Sequence, residues 1–160
     1  MMPVYGTKVR LSSYPRFSIL VRDVCCNRMK TIKGMQMTTI TTTIENDIVI
    51  NNVTGPVALD ELMDYIRNKV ASWQGKPVLW EASKATFKNI STEDWKSLPR
   101  KIGHLADTRK EEKTALVASD DFPFGMLRMF EILAENEQLA IQFQTFRDIN
   151  RAKAWLVSKD

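Results

Sequence analysis

Between Thr114 and Leu156 the chain alternates two periods, and that alternation limits the folds open to it more than any other feature. Thr114–Ala118 is a short apolar run of strand character, and Ser119–Asp121 is a polar turn. A stretch of helical spacing follows at about Phe124–Glu135, then a second strand over Leu139–Thr145 and a closing helix opened by Asp148. Two strands that each lead into a helix form a β-α-β-α unit, which implies parallel strands joined by right-handed crossovers.

The preceding residues extend the pattern. Met37–Ile44 (MTTITTTI) is rich in residues branched at Cβ, which suit a pleated surface. Glu45-Asn46-Asp47 supplies turn chemistry, Ile48–Val53 is a second such run, and Gly55-Pro56 is expected to end the hairpin. Leu59, Leu62, Met63, Ile66, Val70 and Trp73 then recur at helical steps, with Asp60 and Glu61 near the positive end of the helix dipole. Pro77–Glu81 reads as a short buried strand, with a polar loop through Asn89. Ser91 and Asp94 have the spacing of a helix cap, and Ile90 and Trp95 that of a hydrophobic staple. Trp95, Leu98, Ile102 and Leu105 continue that helix, in which Pro99 predicts a kink or an early stop. Asp107–Lys113 reads as a solvated loop of mixed charge.

The expected order is thus β-β-α-β-α-β-α-β-α. It predicts an α/β sandwich with a five-stranded mixed sheet, an N-terminal hairpin and about four helices. A chain of 160 residues suits one such domain.

The charge is uneven. Residues 1–36 hold seven basic side chains and one acid, so the net charge of +4 comes from this leader, and the rest of the chain is slightly acidic. A near-neutral body gives no electrostatic reason to expect a nucleic-acid partner. The leader is read as a poorly ordered basic extension, with the domain over residues 37–158 and Met35 or Met37 as a later start. A targeting peptide and a basic tail for an acidic partner are the alternatives. Cys25 and Cys26 are adjacent, which suits neither a metal site nor a disulfide framework, so a cytoplasmic protein is expected. No apolar run reaches the ~20 residues of a membrane span.

Three groups of residues are candidate sites. Ser91 and Thr92 stand at a helix start, where unpaired backbone N–H groups and the dipole favour an anion; a plain helix cap is the structural alternative. Asp120, Asp121, Phe122, Phe124 and Arg128 lie at or after the turn that ends a parallel strand, where open α/β sheets bind ligands. The alternative there is a capping aspartate and an arginine in a surface ion pair. Phe122, Phe124, Met126, Met129 and Phe130 could line an apolar pocket or simply be core. The single histidine, His104, has no nucleophile in view, and no phosphate loop or hydrolase elbow occurs. No catalytic residue, cofactor or metal is expected.

The blocks Phe124-Gly125-Met126-Leu127-Arg128-Met129-Phe130-Glu131, Phe146-Arg147-Asp148 and Ala152-Lys153-Ala154-Trp155-Leu156 resemble the STAS fold of anti-sigma-factor antagonists. The closer likeness of the two is to the SpoIIAA-like group of small bacterial proteins, often described with SEC14-type lipid-transfer domains. The resemblance spans about Met37–Leu156. It implies a non-enzymatic regulatory module acting through protein contacts, and its SEC14 side implies a small hydrophobic-ligand carrier instead. In the antagonists a phosphorylatable hydroxyl follows the third strand, and Ser91 falls on that position. Asn89, Ile90 and Thr92 stand where the motif has an aspartate, a hydroxyl residue and a glycine.

Overall fold

The structure, a computed structural model, describes residues 37–105, 109 and 112–158. The chain divides between Lys33 and Gly34, and every described residue belongs to the second part. The expected basic extension, residues 1–36, lies outside the described residues, as do Cys25 and Cys26.

Five strands form one sheet in the order of the sequence. β1 (Thr39–Glu45) runs antiparallel to β2 (Ile48–Pro56), and β3 (Val78–Thr86), β4 (Lys113–Val117) and β5 (Gln142–Phe146) follow in parallel. The helices are α1 (Leu59–Lys69), α2 (Thr92–Leu105), α3 (Asp121–Asn136) and α4 (Ile149–Val157), with a 3-10 turn at Val70–Trp73 after α1. The mixed sheet and the alternating order match the expectation.

Topology sets the layers. Strands added one after another through right-handed crossovers place every crossover helix on one face. Accordingly α1, α2 and α3 cover a core that includes Val53, Met63, Ala82, Trp95, Leu116 and Phe130. α4 follows the last strand of the sheet and lies on the other face, where Ala152 and Leu156 meet Ile50, Leu79 and Val117. An aromatic chain spans the main core: Phe87–Trp95, Trp95–Phe130 and Phe130–Phe143 lie 5.3, 6.4 and 5.2 Å apart, edge to face.

The hairpin turn is built on Asn46 and Asp47, whose φ angles of 50° and 65° give the twist a two-residue turn needs. Several boundaries differ from expectation. The hairpin ends before Gly55-Pro56, as expected, but β2 itself continues through these two residues against β3. Its last pair with β1 is Thr54, so the donor that Pro56 lacks faces a side with no strand, where the Pro56 carbonyl accepts from Thr38 Oγ1 at 2.7 Å. Gly55 is needed there: its φ is 84°, and a Cβ would stand 2.8 Å from the Met37 carbonyl oxygen.

β3 runs to Thr86 rather than ending at Glu81, because β2 pairs with it as far as Pro56–Thr86. Pro99 is fully buried inside α2 and does not end it. It removes one backbone bond, and the packing of Trp95 and Leu98 before it and of Ile102 and Leu105 after it holds the helix on either side. α3 begins at Asp121, because Pro123 fits a first turn whose N–H groups have no helical partner. β5 begins at Gln142, after Gln138 has turned the chain with a φ of 54°.

The loop expected to be solvated contains a buried cation. Arg109 donates from Nε to Glu112 at 2.5 Å and from its terminal nitrogens to the Lys76 carbonyl and Thr114 Oγ1. Desolvation lowers its pKa, against the pull of Glu112.

Candidate functional site

Because β2 to β5 are parallel, their carboxyl ends share one rim of the sheet, where open α/β folds bind ligands. The Ser91 turn follows β3 and the Ser119–Asp121 turn follows β4. The last β3–β4 pair is Glu81–Val117, so β3 projects five residues beyond its neighbour, roughly 16 Å of extended chain.

That projection braces the second turn. Ser83 Oγ accepts the Ser119 N–H at 3.0 Å, while the Ser83 N–H donates to Glu81 at 2.8 Å. From the β5–α4 connection Arg147 reaches the same turn three ways. It donates to the Ser119 carbonyl at 3.0 Å, pairs with Asp121 at 2.8 Å, and lays its guanidinium over the Phe124 ring at 4.1 Å. The rim arginine is therefore Arg147, which sequence reading did not select. In the sequence it stands within the Phe146-Arg147-Asp148 block, between a strand and the capping Asp148, whose carboxylate accepts the Arg151 N–H at 2.9 Å.

The expected site residues separate into three places. Ser91 is exposed and caps α2: its hydroxyl accepts the Asp94 N–H at 3.1 Å and donates to the Asp94 carboxylate at 2.7 Å. Thr92, next to it, is exposed, and Ile90 packs with Trp95 as the staple predicts. Asp120, Asp121 and Phe122 are exposed at the start of α3, and Phe124 is half-buried beneath Arg147. Asp120 holds the N-cap position but makes no side-chain cap, contrary to the capping alternative. Arg128 is one turn further on and bonds to Glu131, whose carboxylate raises the pKa of the guanidinium. Among the described residues no hydrogen bond or ion pair joins the Ser91 turn to the Ser119–Asp121 turn; the link between them is the buried aromatic chain.

Of the apolar face, Phe130 is core, Phe124, Met126 and Met129 pack against the core, and Phe122 remains 53% exposed. His104 sits in the last turn of α2, beside the exposed Arg100–Glu137 pair. Among the described residues no cluster of three or more potential ligands could hold a metal ion.

A cavity of about 90 Å³ lies between the sheet and α1–α3, lined almost wholly by apolar groups that include Trp73, Trp80, Trp95 and Phe143. The buried indole N–H of Trp95 has no partner among the described residues.

Among solved structures the chain is similar to an anti-sigma factor antagonist from Mycobacterium paratuberculosis, with a TM-score of 0.52 and 14% identity over 76% of this chain and 96% of that one. The fold is STAS-like. The chain is also similar to an uncharacterised protein with a SpoIIAA-like fold from Shewanella loihica, at 15% identity over 79% and 98% of the two chains and a TM-score of 0.49. No protein-family model and no curated protein matches the sequence. On the STAS-like frame, the rim that carries Ser91 also carries the turn held by Arg147. No helix among the described residues is long and apolar enough to cross a membrane.

Proposed function

We propose that this chain is a non-enzymatic regulatory module of the cytoplasm, working through residues 37–158, whose rim around Ser91 and the Ser119–Asp121 turn contacts another protein. The observation that carries this reading is an exposed serine at the first turn of a long helix, on the fold of an anti-sigma factor antagonist. A phosphoryl group transferred to Ser91 Oγ by a separate kinase from a nucleoside triphosphate, with release of the diphosphate and the hydroxyl proton, would meet the N–H groups and positive dipole at the start of α2. It would also remove the hydrogen that Ser91 donates to Asp94 and repel that carboxylate. Asp94 already lies 3.8 Å from Lys101 and would turn toward it. The modification thus exchanges one surface charge pattern for another where a partner would dock.

The test is to map phosphopeptides of the full chain from its own cells, then compare partner capture by the wild type, Ser91→Ala and Ser91→Asp. This reading expects modification at Ser91 and opposite effects of the two variants. An unmodified Ser91 with equal capture by all three would contradict it.

One observation favours a second reading, a small hydrophobic-ligand carrier. The apolar cavity beside Trp95 already offers about 90 Å³ of space, more than the ~10–15 Å³ on the same measure that one water needs. A longer ligand would have to part the helices from the sheet. Native mass spectrometry of freshly purified protein separates the two readings, since a carrier retains a ligand mass and a contact module does not.

A further inference from the structure

The two edges of the sheet are finished differently. At β5, the buried carboxylate of Glu131 accepts the outward N–H of Thr145 at 2.9 Å, so helix α3 guards that edge. Among the described residues β1 has no such guard. It is the outermost strand, all of its residues except Ile40 are exposed, and it contains no lysine, proline or bulge. Those are the devices that normally keep an edge strand from pairing with another chain.

We propose that β1 is a homodimer interface. Two copies pair their β1 strands antiparallel about a two-fold axis at Thr42, which makes one continuous sheet across both subunits.

The register follows from the hairpin. A two-residue turn closes on the hydrogen-bonded pair Glu45–Ile48, so Thr39, Thr41, Thr43 and Glu45 bond to β2. The N–H and C=O groups of Ile40, Thr42 and Ile44 therefore point outward. Reversing the strand about Thr42 sets Ile40 against Ile44 of the second copy and Thr42 against its own equivalent. Every outward group then meets another outward group. Of the two-fold registers, this one alone overlaps the whole strand.

The side chains agree. Ile44, 61% exposed, gains a cross-strand contact with Ile40 of the second copy. Glu45 faces Thr39, so no like charges meet, and its own ion pair to Lys153 at 2.7 Å stays within one subunit. The two-fold arrangement uses up the β1 edge in both copies, so assembly through β1 stops at two, and at β5 the Thr145 N–H is already taken by Glu131.

The test uses the full chain in reducing buffer, which keeps Cys25 and Cys26 from cross-linking. Sedimentation equilibrium from about 1 µM to about 1 mM should show the 18.4 kDa mass doubling as concentration rises. Ile44→Pro deletes one outward N–H, leaves the β1–β2 bonds intact and should weaken the dimer about tenfold or more. Amide exchange of the wild type is an independent readout. The Ile40, Thr42 and Ile44 amides should become protected only as the dimer forms, while Thr41 and Thr43 are protected throughout. A monomer across the whole range, a dimer unaffected by Ile44→Pro, or outward amides that exchange freely within the dimer would each overturn the proposal.

Discussion

Glu131 of α3 accepts the backbone N–H of Thr145 of β5 at 2.9 Å, and in the same buried position its other oxygen takes Arg128. One carboxylate thereby ties a helix to an edge strand and satisfies a donor that no neighbouring strand can reach. Glu131→Ala leaves that donor without a partner and should cost about 2 kcal/mol. Glu131→Gln keeps an acceptor for Thr145 and should cost about half as much. Urea denaturation of the three proteins measures both.

At the start of α2 the expected effect is smaller and depends on chemistry. Ser91→Ala removes the acceptor for the Asp94 N–H and should destabilise the fold by about 1 kcal/mol. Ser91→Asp should stay near wild-type stability, since aspartate caps equally well. Thermal denaturation separates this capping role from any loss of partner binding in the same variants.

For the Arg109–Glu112 pair the second substitution should offset part of the first. Glu112 also accepts the Gly75 N–H at 2.6 Å, so the pair ties the start of β4 to the turn before β3. Arg109→Met leaves a half-buried carboxylate facing an apolar group and should cost about 3 kcal/mol. Adding Glu112→Leu should recover part of that loss. A double-mutant cycle in urea reads the coupling.

Tyr65 predicts the alkaline limit. Its hydroxyl bonds to Asn51 Oδ1 at 3.0 Å and to Thr42. Burial raises its pKa above the ordinary 10.0, and the bond from Thr42 only partly offsets this. A folded-state pKa above the unfolded one means that stability is full below pH 10 and is lost as pH rises through the folded value. Tyr65→Phe should be less stable near neutrality by about 1 kcal/mol but should show a shallower decline above pH 10. Urea midpoints across that range decide it.

What could be read in the sequence was local. The Asn46-Asp47 turn, the Ser91 cap, the Ile90–Trp95 staple and the Asp148 cap each depend on residues within a few positions, and each stands where the spacing predicts. The sheet class followed from the alternation of periods. The second half of β3 was hidden because its polar residues lie beyond the end of β4, and pairing with β2 alone makes it a strand. Arg109 reads as one more solvated charge because the partner that buries it, the Lys76 carbonyl, comes from a distant part of the chain. Arg147 likewise acquires its role only when β5 is laid beside β4 and the Ser119 carbonyl comes within reach.

Most direct for the proposed function is the affinity of a protein partner recovered on the immobilised full-length chain. It should be measured by calorimetry against the wild type, Ser91→Asp, Arg147→Ala and, as a control on the exposed face of α1, Asp60→Ala. A contact surface on the rim predicts that Ser91→Asp and Arg147→Ala each shift the affinity about tenfold or more, while Asp60→Ala leaves it unchanged. Equal affinity for all four proteins would contradict a partner surface at that rim.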